Sequence, residues 1–205
     1  MKRASTAYLL TCAVLGVAGG LLLAPANWAS TVLFATVPFA GIALAGLWLL
    51  PAVVALRLLL RPGAGLLVGL ISGLVLAPFS GYGFSTVATN LWWAFFAEIG
   101  FLLVAYRFWT VWQHLAGAVV VGIAYPLLAR EAYGLDQYTP VPQGVFFALT
   151  LGSCLAGTAV GLLVARSLRR AGVGAAARRR PVARAAAGHS VADGSGAPDG
   201  AAADA

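Results

Sequence analysis

GLWLLPAVVALRLLLRPGAGLLVGLISGLVLAP, residues 46–78, decides the fold. Two apolar runs flank a basic interruption that holds Arg57, Arg61 and the turn Arg61-Pro62-Gly63. Apolar runs on either side of a basic turn read as adjacent membrane helices joined in the cytoplasm, where Arg and Lys accumulate. The second run is short for a full crossing, so it is expected to tilt little, to be shielded by neighbours, or to continue past Pro78 as an irregular segment.

The rest of the chain extends this pattern. Of its 205 residues, 61% are hydrophobic and 9% charged, where a soluble domain carries roughly a quarter charged residues; the mean hydropathy is +0.91. Apolar segments are expected to span at about 7–25, 31–56, 64–79, 86–106, 113–129 and 144–165. The expected fold class is an all-α integral membrane protein, a six-transmembrane-helix bundle in the plasma membrane. With both termini inside, Lys2, Arg3, Arg57, Arg61, Arg107, Arg166, Arg169 and Arg170 all lie in the cytoplasm, while Arg130 faces out beside Glu131 and near Asp136. Residues 1–171 form the membrane domain. Residues 172–205 are Ala, Gly, Arg, Pro and Asp with almost nothing large to bury, which predicts a disordered cytoplasmic tail. Its Arg178, Arg179 and Arg180 either hold anionic headgroups or serve only topology and solubility. The start, KR followed by an apolar stretch ending in LAPANWAS, also fits a cleaved signal. A retained helix is the reading adopted, because removing it leaves five spans and spoils the charge pattern.

One acid stands inside a span. In NLWWAFFAEIGFLLVAYRF, residues 90–108, Glu98 lies near the middle, where a charge costs about 2.5–3.5 kcal/mol on insertion scales and faces the bundle interior or a wet cavity. Helical spacing sets Asn90, Ala94 and Glu98 on one face with Trp93 at its edge. Amide, carboxyl and indole together suit a flat polar or amine-bearing ring; the alternative is a protonated Glu98 bonded to a neighbouring helix as structural glue. Above it, the expected outer loops carry Pro25, Asn27 and Trp28, then Tyr82, then Tyr133, Asp136, Gln137 and Tyr138. These are lid residues or members of the interfacial aromatic belt. Tyr125, before Pro126, is expected in the cavity wall. On the first helix, Cys12, Gly16, Gly20 and Ala24 form a small-residue stripe that admits a close neighbour, either internal or a partner subunit.

Several functions are excluded or disfavoured. Lys2 is the one lysine, so no GxxxxGK[ST] phosphate loop exists. His114 and His189 make no metal cluster or catalytic pair, Cys12 and Cys154 read as packing residues, and neither cofactor nor metal is expected. The chain is not expected to be an enzyme or to bind nucleic acid.

The opening block, followed by the aromatic-glycine loop PFSGYGFS and by AFFAEIGFLLVAYRFW, resembles the YkoE family over roughly residues 7–170. Leu50-Pro51, Arg61-Pro62-Gly63 and Ala97-Glu98 carry the resemblance most specifically. It implies a substrate-binding S component of an energy-coupling factor (ECF) vitamin transporter, for thiamine or its hydroxymethylpyrimidine precursor. Its partners would be a membrane coupling (T) subunit and two cytoplasmic ATPases. The resemblance also implies that the first-helix stripe docks the coupling subunit, and that Glu98 anchors a vitamin ligand stacked on Trp93 or a loop aromatic. Another vitamin, or a membrane scaffold without a ligand, are the alternatives.

Overall fold

The computed structural model describes residues 5–178. Ser5 starts the first helix, α1 (Thr6–Thr36), by accepting a hydrogen bond from the Tyr8 amide. It is followed by α2 (Pro38–Ile42), a 3₁₀ segment Ala45–Leu49, α3 (Leu50–Leu59), α4 (Ala64–Leu76) with a 3₁₀ turn Ala77–Phe79, and α5 (Ser85–Leu102). Then come α6 (Val111–Leu128), α7 (Pro140–Arg170) and the short α8 (Ala175–Arg178). Among the described residues, Thr6–Phe34, Phe39–Leu59, Val111–Leu128 and Pro140–Arg170 are each long and apolar enough to cross a membrane. Ala64–Phe79 is shorter, and with α5 it completes a six-helix bundle. The short helix is shielded as its length requires: α4 packs on α1, α3 and α5.

Contacts between elements place all the basic turns at one end. Arg61 lies over the Tyr8 ring at 5.0 Å, Arg57 donates to the Trp109 carbonyl at 3.1 Å, and α8 packs on α1. The start of α1, the turn at 60–63, the loop at 103–110 and the end of α7 therefore share the cytoplasmic face. At the outer face Arg130 pairs with Asp136. The expected tail boundary at 171 falls before α8, whose Ala177 is buried; residues 179–205, including Arg179 and Arg180, lie outside the described residues.

The expected helix boundaries in the first half of the chain are corrected. Pro25 was expected to end the first helix, but α1 runs through it for 31 residues, about 46 Å at 1.5 Å per residue. A proline costs one helical hydrogen bond, which membrane helices absorb. Asn27 and Trp28 are thus helical, and the expected single helix over 31–56 is instead the end of α1 followed by a broken crossing.

The small-residue stripe meets a close neighbour within the chain. Cys12, Gly16 and Gly20 are buried, Ala24 is partly buried, and the stripe is filled by α4 and α3 from within the same chain. A Cβ on Gly16 would lie 2.5 Å from Ile71 Cβ, and one on Gly20 2.7 Å from the Ser72 carbonyl oxygen. Spacing alone shows that something approaches closely, and here that something is α4. Gly20→Val is accordingly expected to destabilise the bundle by about 1–3 kcal/mol through overpacking. Val17→Ala, on the exposed side of α1, should leave Tm nearly unchanged; equal effects from both substitutions would mean that the α1–α4 contact is not close-packed.

Candidate ligand-binding site

The outer end of the bundle holds a cavity of about 250 Å³, near the small end of the usual range of about 300–1,000 Å³ for ligand pockets. Four parts of the chain build it. The last turns of α1 supply Asn27, Ser30 and Phe34; the broken crossing supplies Gly41, Ile42 and Trp48; α5 supplies Thr86, Thr89 and Trp93; and Tyr125, Tyr133 and the loop residue Tyr82 close the remaining sides. Every lining side chain is aromatic, aliphatic, hydroxyl or amide, and none is an acid or base.

The aromatic groups are ordered by contact with one another. Trp93 and Tyr125 lie 5.1 Å apart with planes inclined at 33°, and Phe34 stacks on Tyr133 at 5.2 Å. The Tyr125 and Tyr133 hydroxyls are 2.7 Å apart. One of them donates to the other, so the pair keeps one further proton for a ligand acceptor. Burial raises the Tyr133 hydroxyl above its ordinary range, which keeps that proton in place at neutral pH.

A polar knot on Ser80 holds the mouth. Its Oγ accepts from Asn27 Nδ2 at 3.4 Å and from the Tyr82 amide at 3.2 Å, and it shares a hydrogen bond with Thr86 Oγ1 at 2.8 Å. This joins α1, the Tyr82 loop and α5. The knot uses one N–H of the Asn27 amide, and the Asn27 amide oxygen remains an acceptor beside the cavity.

The predicted site residues separate into two groups. Trp93, Tyr125 and Tyr82 come together in the cavity. Asn90 is buried beneath it, bonded through Nδ2 to the Thr86 carbonyl and through Oδ1 to the Ser72 hydroxyl. Trp28 is 59% exposed on the outer surface of α1, a consequence of the helix continuing through Pro25. Tyr138 stands edge-on to Phe39 outside the lining. Phe34, Trp48, Thr86 and Thr89 were not anticipated. Only the folding of four distant segments into one outer end brings them together.

Glu98 does not line the cavity. It lies toward the cytoplasmic end of α5 and is 2% exposed. Its carboxyl group accepts from the Gly63 amide, from the Leu66 amide at 3.1 Å and from the Tyr106 hydroxyl at 2.9 Å. Gly63 is the N-cap residue just before α4 and Leu66 lies in its first turn, where orphan N–H groups need acceptors. No side chain of α4 itself caps that turn, and Gly63 holds φ at +75°, a left-handed conformation that suits glycine. Glu98 is the missing cap, delivered from another helix to a terminus whose dipole favours an acid. Burial and then the bond to Glu98 push the Tyr106 hydroxyl up to about 12, so Tyr106 stays a neutral donor.

A family model described as "ABC-type cobalt transport system, permease component" matches residues 8–124, more than half of the chain. The chain belongs to that family. A solved structure titled as the crystal structure of an S-component of ECF transporter superposes with a TM-score of 0.74 at 18% identity, covering 93% of this chain and 97% of that one. At that identity the likeness carries the fold: this member of the cobalt-transport permease family folds as an S component does. No curated protein matches it. The family member is a multi-pass plasma-membrane transport component and not an enzyme.

Proposed function

We propose that this protein is the substrate-binding membrane subunit of an energy-coupling importer, taking a small flat heteroaromatic molecule from outside into the aromatic cavity. Thiamine and its hydroxymethylpyrimidine precursor are the substrates proposed. The observation that carries the reading is the cavity itself. It faces the outer end of a bundle with the S-component fold, and its aromatic faces are combined with hydroxyl and amide groups without any charge. Such walls stack a ring, satisfy its ring nitrogens and amino groups, and tolerate a cationic ring through the π faces. They offer nothing to balance a carboxylate or phosphate. Without a phosphate loop the chain needs ATPases from elsewhere, so a coupling membrane subunit and two cytoplasmic ATPases complete the proposed importer.

The family's description raises a second reading, in which a cobalt ion is the substrate. A divalent cobalt ion calls for imidazole, carboxylate or thiolate donors, and among the described residues no three His, Cys, Asp or Glu gather into one group. A tryptophan fluorescence titration of the detergent-purified protein separates the readings. Thiamine or hydroxymethylpyrimidine is expected to quench saturably, and equilibrium dialysis is expected to find no stoichiometric uptake of Co²⁺. Uptake of the ion with no response to either organic compound would reverse the assignment. No response to any of the three would turn it to another vitamin, or to a scaffold without a ligand.

A further inference from the structure

One wall of the cavity comes from a membrane crossing that does not run as a single helix. Between α2 and α3 the bonds become three-residue ones, with the Leu44 amide donating to the Gly41 carbonyl at 3.1 Å and the Leu47 amide to the Leu44 carbonyl at 3.0 Å. Inside a membrane such a break leaves backbone groups that need partners, because no bulk water reaches them. A single side chain on α7 takes one group of each kind. Ser153 Oγ donates to the Ala43 carbonyl at 2.6 Å and accepts from the Gly46 amide at 2.9 Å.

The approach is close as well as polar. A Cβ on Gly157, one turn beyond Ser153, would lie 2.2 Å from the Gly46 carbonyl oxygen, and one on Gly46 would lie 1.9 Å from the Ser153 carbonyl oxygen. Main chain therefore meets main chain here, with the serine hydroxyl bridging the two. Ile42, Ala45 and Trp48, three of the residues of the broken crossing that line the cavity, alternate along the chain with the two that Ser153 holds.

We propose that Ser153 is a positioning residue for the ligand site. By holding both the Ala43 carbonyl and the Gly46 amide, its hydroxyl sets the shape of the break and hence where the Trp48 indole and the Ile42 side chain meet the ligand. It acts through the broken crossing and does not line the cavity. This inference rests on the reading of the cavity as the ligand site.

The test is binding of thiamine and hydroxymethylpyrimidine to the full chain, with each variant measured well below its own Tm. Ser153→Ala is expected to raise Kd at least tenfold for whichever compound the wild type binds. Ser153→Thr, which restores the hydroxyl, is expected to recover most of that loss. Thr158→Val supplies a control on the same helix, because the Thr158 hydroxyl is buried without a partner; its Kd is expected to match the wild type. A Ser153→Ala protein with a lowered Tm but an unchanged Kd would make the serine purely structural and overturn the inference. Equal loss of affinity in Thr158→Val would overturn it too. A wild type that binds neither compound would instead bring down the proposed function on which it rests.

Discussion

Trp93→Leu is expected to weaken binding of the heteroaromatic ligand by roughly 5- to 150-fold, the loss that about 1–3 kcal/mol of ring stacking would give. Leucine keeps much of the apolar bulk of a residue that is 4% exposed and removes the extended π face. Trp93 is the right place to look because it contacts the other side of the box as well: its ring lies 5.1 Å from Tyr125, and Tyr125 shares a hydrogen bond with Tyr133. Tyr125→Phe, which keeps the ring and deletes one hydroxyl, should cost less, about 0.5–1.5 kcal/mol. The check is a direct titration of both variants beside the wild type. Affinities that do not change in Trp93→Leu would remove the aromatic box from the binding site and leave the cavity without a carrier for its proposed ligand.

Glu98→Ala is expected to do the reverse, costing stability and sparing affinity. Deleting the carboxyl group leaves the Gly63 and Leu66 amides and the Tyr106 hydroxyl without their acceptor. For a partly buried helix terminus this amounts to about 2 kcal/mol or more. Glu98→Gln should fall between alanine and the wild type, because one oxygen still accepts while the new NH₂ faces donors. In protein verified as folded, Kd for the ligand should stay within about threefold of the wild type in both variants. A loss of affinity well beyond that, with Tm unchanged, would return Glu98 to the role of ligand anchor that its sequence position first suggests.

The Glu98 case shows where sequence reading stops. That an acid in an apolar segment must face inward and be satisfied follows from desolvation alone, and the residue is indeed buried and fully bonded. Which partner satisfies it depends on which helix end comes near, and Leu66 in the first turn of α4 lies 32 residues earlier in the chain than Glu98. Either a ligand amine or a helix N-terminus would answer the same electrostatic demand. The small-residue stripe on α1 behaves in the same way: its spacing reveals a close neighbour, and only packing shows α4 seated against Gly16 and Gly20.

Composition and charge are enough for the class of molecule and its orientation. An apolar content of 61% with basic residues gathered at alternate turns admits little but a multi-pass bundle with both termini inside, since bilayer insertion is governed by sums over composition and charge. Trp93, Tyr125 and Tyr82 were also legible as candidates from residue type and place along the spans, although Trp28 and Tyr138, chosen on the same ground, stand outside the cavity lining. The tertiary structure decided what sums cannot. The passage of α1 through Pro25, the break in the second crossing held at Ser153, and the meeting of Phe34, Trp48, Trp93 and Tyr133 around one cavity all depend on contacts between residues far apart in the chain. Such contacts are selected by the simultaneous packing of all six helices, and no local pattern of apolar and polar residues encodes them.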